Sequence, residues 1–316
     1  MSEEITKQVY SISKIVDEFF QFKNASSSSD RSYSVYHPSA FGKCLRKMQY
    51  QRYASDGIIE KPQIQDPESK MIRIWDTGHS LHARWAKYME DLGILRGVWI
   101  CSNPTCKLKY GEDDKIGIFK PSSCKSCGCN CFNYEEITLK DRSLNFYGHC
   151  DQILDFSNLS SKFLSWVENK WGSQIFSNNI PSKPIVVDMK SINKAQWAKI
   201  QNEAHFYYVI QITIYIHMLN LDYGLIIYEK KDDSEIKIFK VLRNDDLWNA
   251  IKKQADIMNK MFEKKSLPPP RPDSKGSFEC RFCEFSSTCH NSGIWDVDNL
   301  NELRSKFYNF DNEYGD

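Results

Sequence analysis

The amino-acid sequence predicts an α/β protein, and three observations carry that expectation. Strand-like runs at 146–156, 185–190, 223–228 and 236–242 are interleaved with helical periodicities over 69–92, 194–219 and 245–264, the alternation of a sheet covered by helices. Hydrophobic residues make up 41% and aromatic residues 13% of 316 positions, enough for a sizeable core. Nine of the eleven cysteines fall in clusters at short spacing, with Cys44 and Cys150 apart, a pattern of metal thiolates built into a fold.

Taken in order, Ile12, Ile15, Val16, Phe19 and Phe20 recur at helical spacing, and the stretch from Asn24 to Asp30 then breaks the pattern, giving a short amphipathic helix and a flexible linker. Met71, Ile74, Trp75, Leu81, Trp85 and Met89 mark one face of a helix starting near Asp66 and Pro67, with His82 beside that face and His79 as its rival. The span 99–132, rich in Cys, Gly, Pro and Lys, reads as a small metal-held insertion. Strands 223–228 and 236–242 form a hairpin before the last long helix, and Pro268-Pro269-Pro270-Arg271-Pro272 carries the final cysteines back across the surface. The expected organisation is 1–30, helix and linker; 31–98, helical segment; 99–132, insertion; 133–265, core; 266–316, Pro-rich linker, cysteine cluster and tail.

Several classes are excluded. The apolar stretch 207–219 is interrupted by Gln211, Thr213 and His217 and is too short to span a membrane. A start of Met-Ser-Glu-Glu lacks the basic and apolar regions of a secretory signal, so an intracellular, cytoplasmic and reducing setting is expected, in which clustered cysteines bind metal. A net charge of +1 leaves any nucleic-acid contact to local patches. With no internal repeat and no Gly-x-x-x-x-Gly-Lys-Ser/Thr loop, any helicase function belongs to a partner protein.

The chemistry concentrates in Gly148-His149-Cys150-Asp151 and Val187-Asp188-Met189-Lys190. Alternation along a strand puts Asp188 and Lys190 on one side and Val187 and Met189 on the other. A carboxylate there holds a divalent cation, and an ammonium two positions on orients the water that attacks a phosphate. Asp151, ending a turn-like segment, supplies a second carboxylate, and His82 an imidazole. The blander alternatives are a solvated Asp188–Lys190 ion pair and a core histidine. Gln211 and Tyr215 lie four apart on one helical face, where an amide and a phenol can contact a DNA backbone, or pack as an ordinary semi-buried face.

Two cysteine sets stand apart from these residues. Cys101-x4-Cys106 followed by Cys124-x-x-Cys127-Gly128 resembles the two knuckles of a zinc ribbon, with Cys129 and Cys131 complicating the register. Cys280-x-x-Cys283-x5-Cys289 with distant Cys44 makes four thiolates, enough for a [4Fe-4S] cluster or for zinc, with His290 as a substitute ligand. Around Cys44, the cations Lys43, Arg46 and Lys47 alternate with Tyr50 and Tyr53, which suits single-stranded DNA or a solvated helix.

Together these residues resemble the RecB-like, iron-sulfur-containing branch of the PD-(D/E)XK nuclease superfamily, as in CRISPR-associated RecB-like exonucleases and the AddB nuclease domain. The likeness covers about 38–290 apart from the 101–131 insertion. It implies a restriction-endonuclease-like core with a central mixed sheet flanked by helices. It implies Mg2+ or Mn2+ at His82, Asp151, Asp188 and the Met189 carbonyl, Lys190 as a catalytic residue, and a Gln-x-x-x-Tyr helix at Gln211 and Tyr215. It also tips Cys44, Cys280, Cys283 and Cys289 towards iron. The implied activity is phosphodiester hydrolysis leaving 5'-phosphates, on DNA ends or single strands, in recombination, repair, replication or CRISPR-type processing alongside helicase or integration partners. Rival expectations are a catalytically idle DNA-binding module and a structure-specific endonuclease.

Overall fold

The computed structural model describes residues 2–26, 32–62, 67–172, 180–271, 278–293 and 299–308. Of the linker expected from Asn24 to Asp30, residues 24–26 belong instead to the first helix; the rest of it, the helix start at Asp66 and the end of the proline run at Pro272 lie outside the described residues. Helices α1 (Ser2–Ser26), α2 (Pro38–Phe41), α3 (Leu45–Ser55) and α4 (Ser69–Asp91) precede strands β1 (Leu95–Cys101), β2 (Lys109–Tyr110), β3 (Ile118–Phe119) and β4 (Phe132–Glu135). A hairpin of β5 (Ile137–Asp141) and β6 (Phe146–Cys150) leads into β7 (Gln152–Leu154), α5 (Ser161–Trp171) and β8 (Ile185–Ile192). Then come α6 (Lys194–Trp197), α7 (Phe206–Leu219), β9 (Tyr223–Lys230), β10 (Ile236–Leu242), α8 (Asp245–Glu263), α9 (Phe278–Arg281), α10 (Ser286–His290) and α11 (Leu300–Phe307).

The central sheet runs β10-β9-β8-β7-β1-β2, with β3 and β4 also paired to β1. It is mixed: β8 and β9 are parallel, and the other pairs are antiparallel. A parallel pair needs a crossover, which α6 and α7 provide. Because α7 is covered on two sides, it is apolar almost all round. Ile212, Tyr215 and Ile216 face Ile153, Val186 and Ile226 of the sheet, while Ile210 and Ile214 meet Phe41, Leu247 and Ile251 of an outer helical layer. On the other sheet face, Trp85, Ala86 and Met89 of α4 pack with Val187, Met189 and Ile227. The architecture is therefore mixed α/β with a central mixed sheet flanked by helices, and no helix among the described residues is long and apolar enough to cross a membrane.

Three local expectations need correction. The helix expected over 194–219 is broken between α6 and α7, where Lys237 Nζ donates to the carbonyls of Trp197 and Ile200. Periodicity passed over the polar Gln201-Asn202-Glu203 where the chain turns under the sheet. Residues 147–150 are strand rather than turn, because β6 completes a hairpin with β5. The first helix spans 25 residues and runs along α4, with an Arg73–Asp17 ion pair and Gln21 Nε2 donating to Pro67 O at 2.9 Å. Its Ile12, Ile15 and Phe19 are exposed, as are Met71, Ile74 and Trp75 of α4, so the first turns of α4 lie off the core.

The two ends of the chain meet. Tyr50 of α3 stacks on Phe285 at 5.3 Å. Lys47 pairs with Glu284 at 2.7 Å, and Arg46 Nη1 donates to Pro268 O at 2.7 Å.

Candidate active site

Strand β8 presents Asp188 and Lys190 towards α7 and Val187 and Met189 towards α4. Asp188 is 0% exposed, so the ion pair is not a solvated one. Lys190 Nζ stands 2.9 Å from Asp188 Oδ1 and 2.8 Å from Oδ2. Gln211 Nε2 donates to the same Oδ1 at 2.9 Å and to Tyr215 Oη at 3.1 Å. Oδ2 lies within ion-pair distance of the ammonium but receives no hydrogen bond of acceptable geometry. The Lys190 ammonium is therefore the electropositive group that compensates the burial of this oxygen.

Asp151 sits in the bend between β6 and β7. Its Oδ2 accepts the Met189 N–H at 2.8 Å and lies 3.3 Å from His82 Nδ1. Glu136, between β4 and β5, completes the cluster: His82, Glu136 and Asp151 each offer a ligand atom, and these lie within 4.8 Å of one another. His82 reaches the cluster because Trp85, Ala86 and Met89 pack α4 on the sheet, whereas His79 faces solvent.

The electrostatics are those of crowded carboxylates. Burial and then the Asp151 charge push Glu136 up to about 7. Asp188 is raised for the same two reasons, burial first, against the opposing pull of Lys190. Burial also works against Asp151 ionisation, but the hydrogen bond from His82 and the Lys190 charge win, and its carboxyl is held below the usual range. His82 is raised: burial disfavours its cation, and the Asp151 hydrogen bond and charge more than compensate. Lys190 is likewise kept protonated by Asp188 and Asp151 despite its burial.

Of the residues expected to touch DNA, Gln211, Tyr215 and Arg46 are buried. Gln211 and Tyr215 are 3% and 2% exposed and lie beneath Asp188, where they fix its carboxylate. Arg46 is 4% exposed and donates to Pro268 O and Ser292 Oγ, so its guanidinium is committed to joining the chain ends. Tyr50 and Tyr53 point inward, while Lys47 pairs with Glu284. Lys43 lies with its Nζ 5.4 Å from the centre of the Tyr207 ring.

The ribbon cysteines come together: the sulfurs of Cys101, Cys106, Cys124 and Cys127 lie within 4.8 Å of one another and could hold a metal ion. Cys101 Sγ is 3.5 Å from Cys127 Sγ and Cys106 Sγ is 3.6 Å from Cys124 Sγ, close to the roughly 3.8 Å edge of a tetrahedron with zinc–sulfur bonds of about 2.3 Å. The turn closing the second knuckle needs Gly128, whose φ is +70°. Cys129 and Cys131 stand outside the quartet. At the chain ends, burial first, and then the neighbouring Cys289 and Cys44, push the Cys280 thiol up, and burial does the same for Cys283. These thiols do not form a group within 4.8 Å, and His290 Nε2 lies 3.4 Å from Cys280 Sγ.

Glu136 is the site residue that sequence reasoning missed. Nothing in its spacing marks it out, and only the β1–β4 pairing and the β5–β6 hairpin bring it to Asp151. It lines an open cleft of 330 Å3 with Glu135, Lys109 and Lys140. A larger cleft of 450 Å3 between Glu90, Trp99, Phe119 and Asn158 contains none of the site residues.

No family model matches the chain, and no curated protein matches it. Among solved structures it is similar to SSO0001, with a TM-score of 0.43 and 13% identity over 88% of this chain and 95% of that one. It is also similar to an alkaline exonuclease, LHK-Exo, from Laribacter hongkongensis, with a TM-score of 0.39 and 12% identity over 74% of this chain and 90% of that one.

Proposed function

We propose that the chain is a metal-dependent DNA nuclease of the PD-(D/E)XK type with a restriction-endonuclease-like core, hydrolysing phosphodiester bonds in single strands or at ends. The observation that carries this reading is the position of Asp151. Its carboxylate is tied to His82 and to the backbone of the strand presenting Asp188 and Lys190.

The residues fit Mg2+ or Mn2+: two carboxylates and one imidazole within 4.8 Å of one another are a hard, mainly oxygen donor set. His82, Glu136 and Asp151 would hold the ion; Asp188, which lies outside that group, and the Met189 carbonyl would be its further ligands. Bound there, a divalent ion polarises a phosphate and acidifies water. Lys190 holds its proton at Nζ, where it steadies developing negative charge and orients the nucleophile. Gln211 and Tyr215 keep Asp188 in the rotamer this requires.

The quartet Cys101, Cys106, Cys124 and Cys127 is assigned to structural zinc. Cys44, Cys280, Cys283 and Cys289 are assigned to a [4Fe-4S] cluster: they supply the four thiolates such a cluster needs, and the packing of Tyr50 on Phe285 joins the segment that follows Cys44 to the one that carries the other three. Incubating labelled single-stranded DNA with the anaerobically purified protein and Mn2+ tests the whole. The expected result is cutting by the wild type and none by Asp188→Asn. Cutting that survives that substitution overturns the assignment, and an inert wild type favours a DNA-binding module. A circular single strand separates end-dependent from internal cleavage.

A further inference from the structure

The amino-terminal turn of α7 places three half-buried rings beside the proposed catalytic lysine. His205 and Tyr207 stack at 5.3 Å with only 13° between their planes, and Tyr207 meets Tyr208 at 4.2 Å. Tyr208 in turn carries Lys190 Nζ 4.6 Å from its ring centre. The group is held rigidly. His205 N–H donates to Tyr228 Oη at 3.1 Å, and the Tyr207 backbone lies so close to Gly42 that a Cβ there would stand 2.7 Å from Tyr207 Cα. Cations border it on several sides: Lys43 over Tyr207, Lys190 over Tyr208, and Lys199, whose charge adds to burial in lowering the basicity of His205. Glu279 is an acidic neighbour of Tyr207.

Aromatic faces interleaved with ammonium groups suit a strand whose bases are unpaired, because each base offers a flat π-face and each phosphate a charge. A base in a duplex is already stacked on its neighbours and gains little from such a surface. The rings also adjoin Lys190, so a nucleotide stacked on them leaves its phosphate beside the carboxylates.

We infer that His205 and Tyr207 form a stacking platform for the base next to the scissile phosphate, making single-stranded DNA the preferred substrate. This rests on the nuclease reading above and deepens it. The platform also replaces the surface expected around Tyr50 and Tyr53, which are turned into the protein.

The test uses the full-length protein in Ca2+, with fluorescence anisotropy of a labelled single strand, the same strand carrying one abasic position, and a duplex of equal length. His205→Ala and Tyr207→Leu are each compared with wild type, and thermal melting confirms that each variant folds. Each variant is expected to weaken binding of the intact strand about tenfold, to leave the abasic strand bound like wild type once that position faces the platform, and to leave the duplex unchanged. Tyr207→Phe keeps the π-face and should restore binding. Equal losses on intact and abasic strands at every position tried, or a duplex bound as tightly as the single strand, overturn the platform while Mn2+-dependent cutting still upholds the nuclease. A wild type that neither binds nor cuts DNA overturns both.

Discussion

Met189 N–H donates to Asp151 Oδ2 at 2.8 Å, which fastens the bend after β6 to the middle of β8. With the adjoining pairing of Gln152 and Val187, this hydrogen bond holds together two carboxylates that are far apart in the chain. Asp151→Asn keeps the shape but removes the charge that His82 and the cation need. Cleavage should fall by at least about 10²-fold, and Mn2+ affinity measured by calorimetry should drop with it, while the melting temperature changes little.

Glu136 ties stability to pH and to metal. Its carboxyl is raised from 4.5 to about 7 in the folded protein, so the folded state holds the proton more tightly than the unfolded chain. The stability this contributes is complete below pH 4.5 and is lost as pH rises through 7. At about 1.4 kcal/mol per pKa unit, discounted for partial exposure, the metal-free protein should lose about 2–3 kcal/mol across that window. Urea titrations at stepped pH check this. Glu136→Gln should flatten the slope, and Mn2+ should restore the loss in wild type alone.

The ribbon should release its metal as a unit. Cys124→Ser removes one of four thiols that lie within 4.8 Å of one another. Elemental analysis of the purified variant should show about one zinc equivalent fewer than wild type, with limited proteolysis newly cutting within the 99–132 span. Retention of the full zinc content would exclude the quartet.

Arg46 and Lys43 should part company. With its guanidinium buried on Pro268 O and Ser292 Oγ, Arg46→Ala is expected to cost about 3 kcal/mol, as for other buried charged hydrogen-bonding groups. It should leave the salt dependence of DNA binding unchanged in protein that remains folded. Lys43→Ala should instead reduce the slope of log affinity against log salt by about 1 at little cost to stability.

At the junction of the chain ends, Cys283→Ser should yield a colourless protein that melts well below wild type. Visible absorbance and iron content after anaerobic purification give the answer. A brown, fully stable variant would remove Cys283 from the cluster.

Legibility followed the range of the interactions. Asp188 with Lys190 and Gln211 with Tyr215 could be read in advance because strand and helix periods alone fix which residues share a face. The strands at 185–190 and 236–242 were legible for the same reason, through their apolar patterning. The cysteine spacing 101, 106, 124 and 127 likewise carries its own geometry. What escaped was set by contacts between segments distant in sequence. Glu136 reaches Asp151 only through strand pairing, and Arg46 turns inward only because Pro268 and Ser292 arrive from the other end of the chain. The turn between α6 and α7 needed Lys237 of a later strand.

The enclosed pairing of Asp188 with Lys190 has one more consequence. Removing two opposite charges from water costs more than their attraction usually returns, and apolar isosteres in such places often leave a protein sturdier by about 1–4 kcal/mol. A double replacement by valine and methionine is therefore expected to give an inert but tougher molecule. The native pair marks a place where this chain gives up durability for reactivity.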